Sequence, residues 1–265
     1  MRALWTAASG MIGQQLNVDM ISNNLSNVNT TGFKKDRLEF KDLLYETMDR
    51  ASILNGQGKP VNLQVGHGTM PVATYKNFSM GNFEKTDNNL DFAIDGDAFF
   101  VVKGPKEQNV YTRDGSFKIG LSEDGNKITT SDGYAVLDQD GNEIVLSIDT
   151  SKLKVGNDGS LSYIDENGNA VDLGQKIGLM KFANKEGLES IGGNFYASNS
   201  ASGEPVLDEE LGDKSVLSQG FLESSNVQVV EEMVKLIVAQ RAYEVNSKAI
   251  QASDEMLGQA NNLKR

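Results

Sequence analysis

The chain has 265 residues and 38% hydrophobic content, enough for one large or two modest packed domains, with no run of about 18 apolar residues that could span a bilayer. Cysteine is absent, which excludes disulfides, thiolate zinc sites and cysteine nucleophiles and leaves the redox compartment open. The net charge of -12 falls in the middle, where residues 61–220 hold 13 Lys/Arg against 25 Asp/Glu while the two ends cancel, so the clustered cations that nucleic-acid or anionic-membrane binding needs are missing there.

The opening "MRALWTAASGMIGQQLNVDM" interrupts its apolar residues with Gly10, Gly13, Gln14 and Gln15, so no cleaved secretory signal is expected. Leu4, Met11, Val18 and Leu25 recur at intervals of seven, with Ala7, Gln14, Ile21 and Val28 three residues further on. That spacing predicts a helix with a coiled-coil seam. "NNLSNVNTTGFK", Asn23 to Lys34, closes it. Asparagine amides compete for backbone hydrogen bonds and lower helix propensity, and Gly32 supplies a permissive turn. Two readings of this helix end stay open: capping within its own chain, or polar groups offered to neighbouring molecules.

Residues 47–70 are poor in periodicity and hold Gly56, Gly58, Pro60, Gly66 and Gly68, which predicts an extended connector. His67, the only histidine, lies here without a nearby nucleophile or second ligand type, so neither catalysis nor metal binding is expected of it.

Seven dipeptides then punctuate short β-rich runs: Asp95-Gly96, Asp114-Gly115, Asp124-Gly125, Asp132-Gly133, Asp140-Gly141, Asp158-Gly159 and Asn167-Gly168. Such pairs suit hairpin turns, and an antiparallel β domain is predicted from about 95 to 200. "DQDGNE" and "DENGNAVD" gather carboxylates, but Glu143 and Ala170 stand where a calcium loop requires glycine, so plain turns are expected. Paired carboxylates keep glycosidase chemistry or carbohydrate binding as an alternative, weakened because the single tryptophan, Trp5, lies in the N-terminal helix. "NSASGEPVLDEELGDK", residues 199–214, reads as a polar loop.

The C-terminal stretch is again helical. Val229, Leu236, Tyr243, Ile250 and Leu257 recur at intervals of seven, Met233 and Gln240 take companion positions, and Val234, Ile237 and Val245 widen the stripe. Ser225 and Gln228 have capping-box spacing, Glu231 and Glu232 lie near the positive end of the helix, and Lys264 and Arg265 near its negative end.

The chain therefore reads as α+β. Terminal helices from 1–35 and 222–265 pair as a coiled-coil domain, 36–94 and 201–221 connect, and 95–200 is an inserted antiparallel β domain. The expected assembly surface is Leu4, Met11, Val18, Ile21, Leu25, Val28, Val229, Met233, Leu236, Tyr243, Ile250 and Leu257. A helix pair leaves a second flank, which many copies packed side by side would bury in a helical tube or filament; a closed monomer with an ordinary helical hairpin is the alternative. No catalytic, metal-binding or cofactor-binding residues are identified.

"LWTAASGMIGQQLNVDMISNNLSNVNTTGFKKDRLEFKDLLYETM" resembles the N-terminal signature of the flagellar axial proteins, the rod, hook and hook-associated subunits. Asn23, Asn24, Leu25, Asn27, Thr31, Gly32, Phe33 and Lys34 fit its Asn-Asn-Leu…Gly-Phe-Lys core, with Ser26 in the usual alanine position. "QGFLESSNVQVVEEMVKLIVAQRAYEVNSKAIQASDEML" is similar to the matching C-terminal end, and "NLDFAIDGDAFFVV" and "YTRDGSF" to the β domain. Size, the 47–70 connector and "GLESIGGNFY" are most similar to the distal-rod branch, with proximal rod or hook as the runner-up. The resemblance implies a non-enzymatic subunit without cofactors, exported unfolded by the flagellar type III apparatus without a cleaved signal. It would polymerise with itself into a hollow, torque-transmitting shaft across the periplasm. Terminal helices would form the inner tube and the β domain the outer layer, and the partners would be proximal rod and hook subunits, rod cap, outer-ring bushing and export apparatus.

Overall fold

The computed structural model describes residues 2–49, 53–54, 57–58, 62–104, 108–122, 125–146, 152–165 and 170–263. Helix and strand are mixed, as the α+β reading requires, and the chain divides into two units. The first contains Met1–Ser26, Asp36–Tyr75 and Gln228–Arg265; the second contains Asn27–Lys35 and Lys76–Val227.

The first unit is built on two helices, α1 (Arg2–Ser26) and α2 (Val229–Asn262), which lie against each other. Neither contains proline, and α1 is rich in Ala, Leu, Met and Gln, which lose little on entering a helix. Ala7 and Ile21 of α1 and Ala239 of α2 are buried. Gly10 leaves room for the Asn246 side chain, whose amide nitrogen would lie 2.8 Å from a Cβ at that position.

α1 stops at Ser26, so Val28, the last predicted seam position, falls in the following turn. α2 also starts later than the capping-box spacing predicts. Its N-cap is Gln228, which makes no side-chain cap, and the first helical bond runs from the Glu232 N–H to the Gln228 carbonyl at 3.0 Å. Ser225 instead accepts the Val227 N–H at 3.3 Å. Residues 225–227 are committed elsewhere: the Asn226 N–H donates to the Phe33 carbonyl, and Val227 is buried. Lys264 and Arg265 lie outside the described residues.

The segment predicted as an extended connector folds back on itself. Tyr45–Asp49 pairs antiparallel with Leu63–Gly66, Ile53–Leu54 pairs with Gln57–Gly58, and Asp36–Asp42 pairs with Thr69–Lys76. The result is a two-stranded ribbon whose glycines, scattered in sequence, hid the pairing. Gly13 of α1 receives the Phe40 ring from its base, which a Cβ would approach to 3.0 Å.

The second unit is antiparallel. Its largest sheet has the strand order Glu189–Gly192, Phe195–Ala197, Asn109–Thr112, Phe99–Lys103, Leu179–Lys181, Val206–Leu207. Two three-stranded sheets follow, Lys118–Ser122 with Gly125–Thr129 and Val145–Leu146, and Leu153–Val155 with Ser160–Ile164 and Ala170–Lys176. The run "FFVV" has no polar alternation because both of its faces are covered: Phe100 joins a core with Phe92, Phe117, Ile128 and Leu161, while Phe99 and Val101 pack with Phe78, Tyr111, Phe182 and Tyr196.

Three of the predicted turns close hairpin-like reversals, through Thr130 N–H to Tyr134 C=O, Asp138 N–H to Asn142 C=O and Gly156 N–H to Ser160 C=O, each at 2.8 Å. Asp114-Gly115 is different. It fits where backbone crosses backbone, and a Cβ on Gly115 would lie 1.8 Å from the Phe92 carbonyl oxygen. Asn167-Gly168 and Asp124 lie outside the described residues. The polar stretch 199–214 is not all loop, because Val206–Leu207 adds an edge strand to the large sheet.

Candidate functional site

In the first unit, Ile21 is buried and Leu4, Met11, Val18, Leu25, Leu236 and Ile250 are half-buried, while Val229, Met233, Tyr243 and Leu257 are exposed. Val28, in the second unit, is half-buried. The more buried flank of α2 runs through Glu232, Ala239, Asn246 and Ser253, one residue before the companion positions Met233 and Gln240. Large apolar side chains mark a seam in sequence, but close approach of two helices selects small and polar ones. The frame shift turns the bulky residues outward. Val230, Val234, Ile237, Val238 and Val245, spaced to share one face of α2, are all exposed, Val230 at 76% and Ile237 at 56%. On α1, Trp5 is 76% exposed, and Ile12 and Leu16 are also exposed. Single exposed aliphatics are ordinary, whereas a stripe of them on one helix marks a contact surface. A cleft of about 370 Å³ on the same unit is lined by Gln15, Val18, Gln240, Tyr243 and Glu244.

The helix-end motif divides between the units. Asn24, 2% exposed, makes two reciprocal bonds with the Asp36 backbone: its Oδ1 accepts the Asp36 N–H at 2.9 Å and its Nδ2 donates to the Asp36 carbonyl at 3.0 Å. The same Nδ2 lies 3.4 Å from Glu232 Oε2 on α2. Asn24 thus closes the end of α1 within its own chain. Asn23 is exposed and donates to Asp36 Oδ2 at 3.4 Å.

In the second unit Asn27 accepts from the Thr30 hydroxyl at 3.1 Å, and the Thr31 carbonyl accepts from the Asn194 amide at 3.0 Å. Gly32 has φ +67°, and a Cβ there would meet the Arg113–Asp114 backbone at 2.7–3.0 Å, so both its handedness and its bareness are required. Phe33 is buried, with the Lys76 ammonium 5.1 Å above its ring.

Lys34, fully buried, leads into an ion centre that sequence reasoning did not find. Its Nζ lies 2.6 Å from Glu223 Oε1 and donates to the Ser79 carbonyl at 2.9 Å. Glu223 Oε1 also accepts the Gly81 N–H at 2.9 Å, and the Glu223 carbonyl accepts the Gly32 N–H at 2.8 Å. Arg113, 2% exposed, stands 3.6 Å from Glu223 Oε2, donates to the Gly96 carbonyl at 2.7 Å and covers the Phe99 ring at 5.0 Å. Burial draws the Lys34 ammonium down to about 8, against the opposing pull of Glu223, and Arg113 beside it works in the same direction as burial. Asn226 ties the neighbourhood together by accepting the Lys35 N–H at 2.9 Å and donating to the Asn77 carbonyl at 2.8 Å. Arg113 and Glu223 stood inside quoted stretches, "YTRDGSF" and "QGFLES". The available signal was a charge set among strand-forming residues.

A second buried pair, Lys181 and Asp208 at 2.8 Å, holds the 206–215 segment, where Asp208 also accepts from the Ser215 N–H and hydroxyl. Burial opposes its ionisation, but these bonds prevail and keep the Asp208 carboxyl below its ordinary value. His67 is half-exposed, 3.9 Å from Glu46, which binds Arg2 at 2.6 Å. No described helix is long and apolar enough to cross a membrane. These charges are either sealed among backbone carbonyls or open on the surface, a geometry suited to holding structure.

Three family models match the chain: "Flagella basal body rod protein" over residues 4–34, "Flagellar hook protein FlgE/F/G D1 domain" over 93–163, and "Flagellar basal body rod FlgEFG protein C-terminal" over 218–263. The chain is 47% identical to the flagellar basal-body rod protein FlgG of Borreliella burgdorferi, over 100% of this chain and 99% of that one. It is 42% identical to FlgG of Buchnera aphidicola subsp. Schizaphis graminum over 96% of each chain, and 38% identical to FlgG of Bacillus subtilis over the whole of both.

Proposed function

The chain belongs to the FlgG family of flagellar basal-body rod proteins, and from that premise we infer that it is a structural subunit of the distal rod. Its place is the flagellar basal body, where it assembles with other rod and hook components.

The finer reading is ours. Copies of this chain polymerise helically into a hollow shaft across the periplasm, with α1 and α2 pairing as a coiled coil in the inner tube and the acidic β body forming the outer layer. Torque passes through packing. Proximal rod and hook subunits adjoin it end to end, the outer-ring bushing surrounds it, and a rod cap attends its growth. The subunit reaches this position through the flagellar export apparatus without a cleaved signal.

The observation that carries this reading is the outward stripe Val230, Val234, Ile237, Val238 and Val245, exposed on a helix whose opposite flank is already used. Burying such aliphatic side chains contributes about 1–2 kcal/mol each, enough in sum to order neighbouring copies against one another. Val234→Lys/Val238→Lys tests it. The far-ultraviolet spectrum of the purified subunit should be unchanged, while rods isolated from cells carrying the variant should be missing or truncated at the distal segment. Rods of normal length would overturn the assignment of this face.

A further inference from the structure

Glu223 closes a site whose other members come from far earlier in the chain. Lys34 lies 189 residues before it, and Arg113 comes from the turn that follows strand Asn109–Thr112. Its carboxylate is within 3.6 Å of both cations, and its carbonyl fixes Gly32, whose φ and lack of Cβ let the 30–34 turn seat against Arg113. Asp97 reaches Arg113 electrostatically from farther off but is paired to Lys185 at 2.7 Å and is largely open to solvent. Among the described residues, Glu223 is the carboxylate that pairs with both cations, and without it the second unit would have to bury Lys34 and Arg113 unpaired.

The strand carrying Glu223, Phe221–Glu223, pairs with Phe83–Lys85. The charge, the strand and the Gly32 bond are therefore supplied by one short segment. Charges buried without a partner cost far more than a paired centre returns, so the requirement is strict.

We propose that Glu223 is a closure latch: the second unit reaches its folded state only when residues 221–227 have joined it, so that its first and last segments lock in one step. In a chain synthesised from its N-terminus, folding of the β body waits for its own C-terminal edge. This inference is independent of the rod reading.

Native-state hydrogen exchange on the full chain tests it. In the wild type, the amides of Phe99–Lys103 and Asn109–Thr112 should open together with Gly32 and Leu222, with the same dependence on urea. If the central strands stay protected while Gly32 and Leu222 exchange separately, the latch is refuted without any variant. Glu223→Gln keeps the shape and removes the charge. It should lower protection of the central strands by at least about 100-fold, or leave the second unit unfolded. Lys34→Met added to Glu223→Gln should recover part of that loss by removing one stranded cation. A loss confined to residues 81–85 and 221–223, or no recovery in the double variant, would overturn the proposal.

Discussion

Lys34 is the residue at which charge and burial compete most directly. Its ordinary value is 10.5, and burial brings it to about 8 in the folded chain. Below pH 8 both folded and unfolded chains hold the proton, and the cost of the buried charge is present in full. Between about 8 and 10.5 the unfolded chain keeps a proton that the folded chain has shed, so stability rises with pH across that window. Lys34→Met deletes this dependence. Urea titrations at pH 7.5 and 10.5, followed by the near-ultraviolet signal of the tyrosines, should give the wild type an additional gain of up to about 3 kcal/mol at the higher pH relative to the variant. Parallel pH dependences would mean that the ammonium keeps its ordinary value. Asn24 presents the opposite case, a neutral group with every bond inside the chain. Asn24→Leu strands the half-buried Asp36 N–H and carbonyl and should cost about 1–2 kcal/mol in thermal unfolding of the first unit. A stable variant that still failed to assemble would return Asn24 to an intermolecular role.

The elements show which physical signals reach the surface of a sequence and which stay hidden. Helix existence was legible from seven-residue recurrence at both ends, and the β body from Asp-Gly turns, because both signals are local. The frame of α2 was not: the buried flank uses Glu232, Ala239, Asn246 and Ser253, and nothing in their polarity announces burial. The ribbon was missed because pairing of Tyr45–Asp49 with Leu63–Gly66 is a fact about two distant strands with no periodic marker in either. The ion centre was missed for the same reason, since Lys34, Arg113 and Glu223 meet only after folding. Gly10 is the element-scale test of the helix pair. Alanine there adds about 1 kcal/mol of helix propensity, which roughly offsets a contact that the flexible Asn246 amide can relieve. Gly10→Leu has no such relief. It should destabilise the pair by about 1–3 kcal/mol, read as a lower urea midpoint of ellipticity at the helix band. Equal midpoints for the alanine and leucine variants would mean that α1 and α2 do not approach this closely in solution.

At the scale of the whole molecule, the ribbon is the feature that a monomer uses least. An isolated pair of strands is marginal in water and needs a face to pack on. This one exposes Leu44 at 86%, Tyr45, Met48, Leu63 and Met70. In the assembly proposed above such side chains would gain burial as copies stack, and a ribbon gripped by neighbours would resist the sliding that bending a shaft requires. Replacing residues 47–70 with a short Gly-Ser linker removes most of these contacts and leaves α1, α2 and the second unit in place. Shafts built from that variant should assemble, yet bend visibly more in electron micrographs, with a persistence length reduced several-fold. If the shafts stay as straight as those of the wild type, stiffness resides in the helical layer or the β body, and the ribbon serves another contact. If no shafts form while the purified variant keeps its helical ellipticity, the ribbon is needed for assembly itself, and the exposed residues it removes, Met48, Leu63 and Met70, become the next positions to substitute singly.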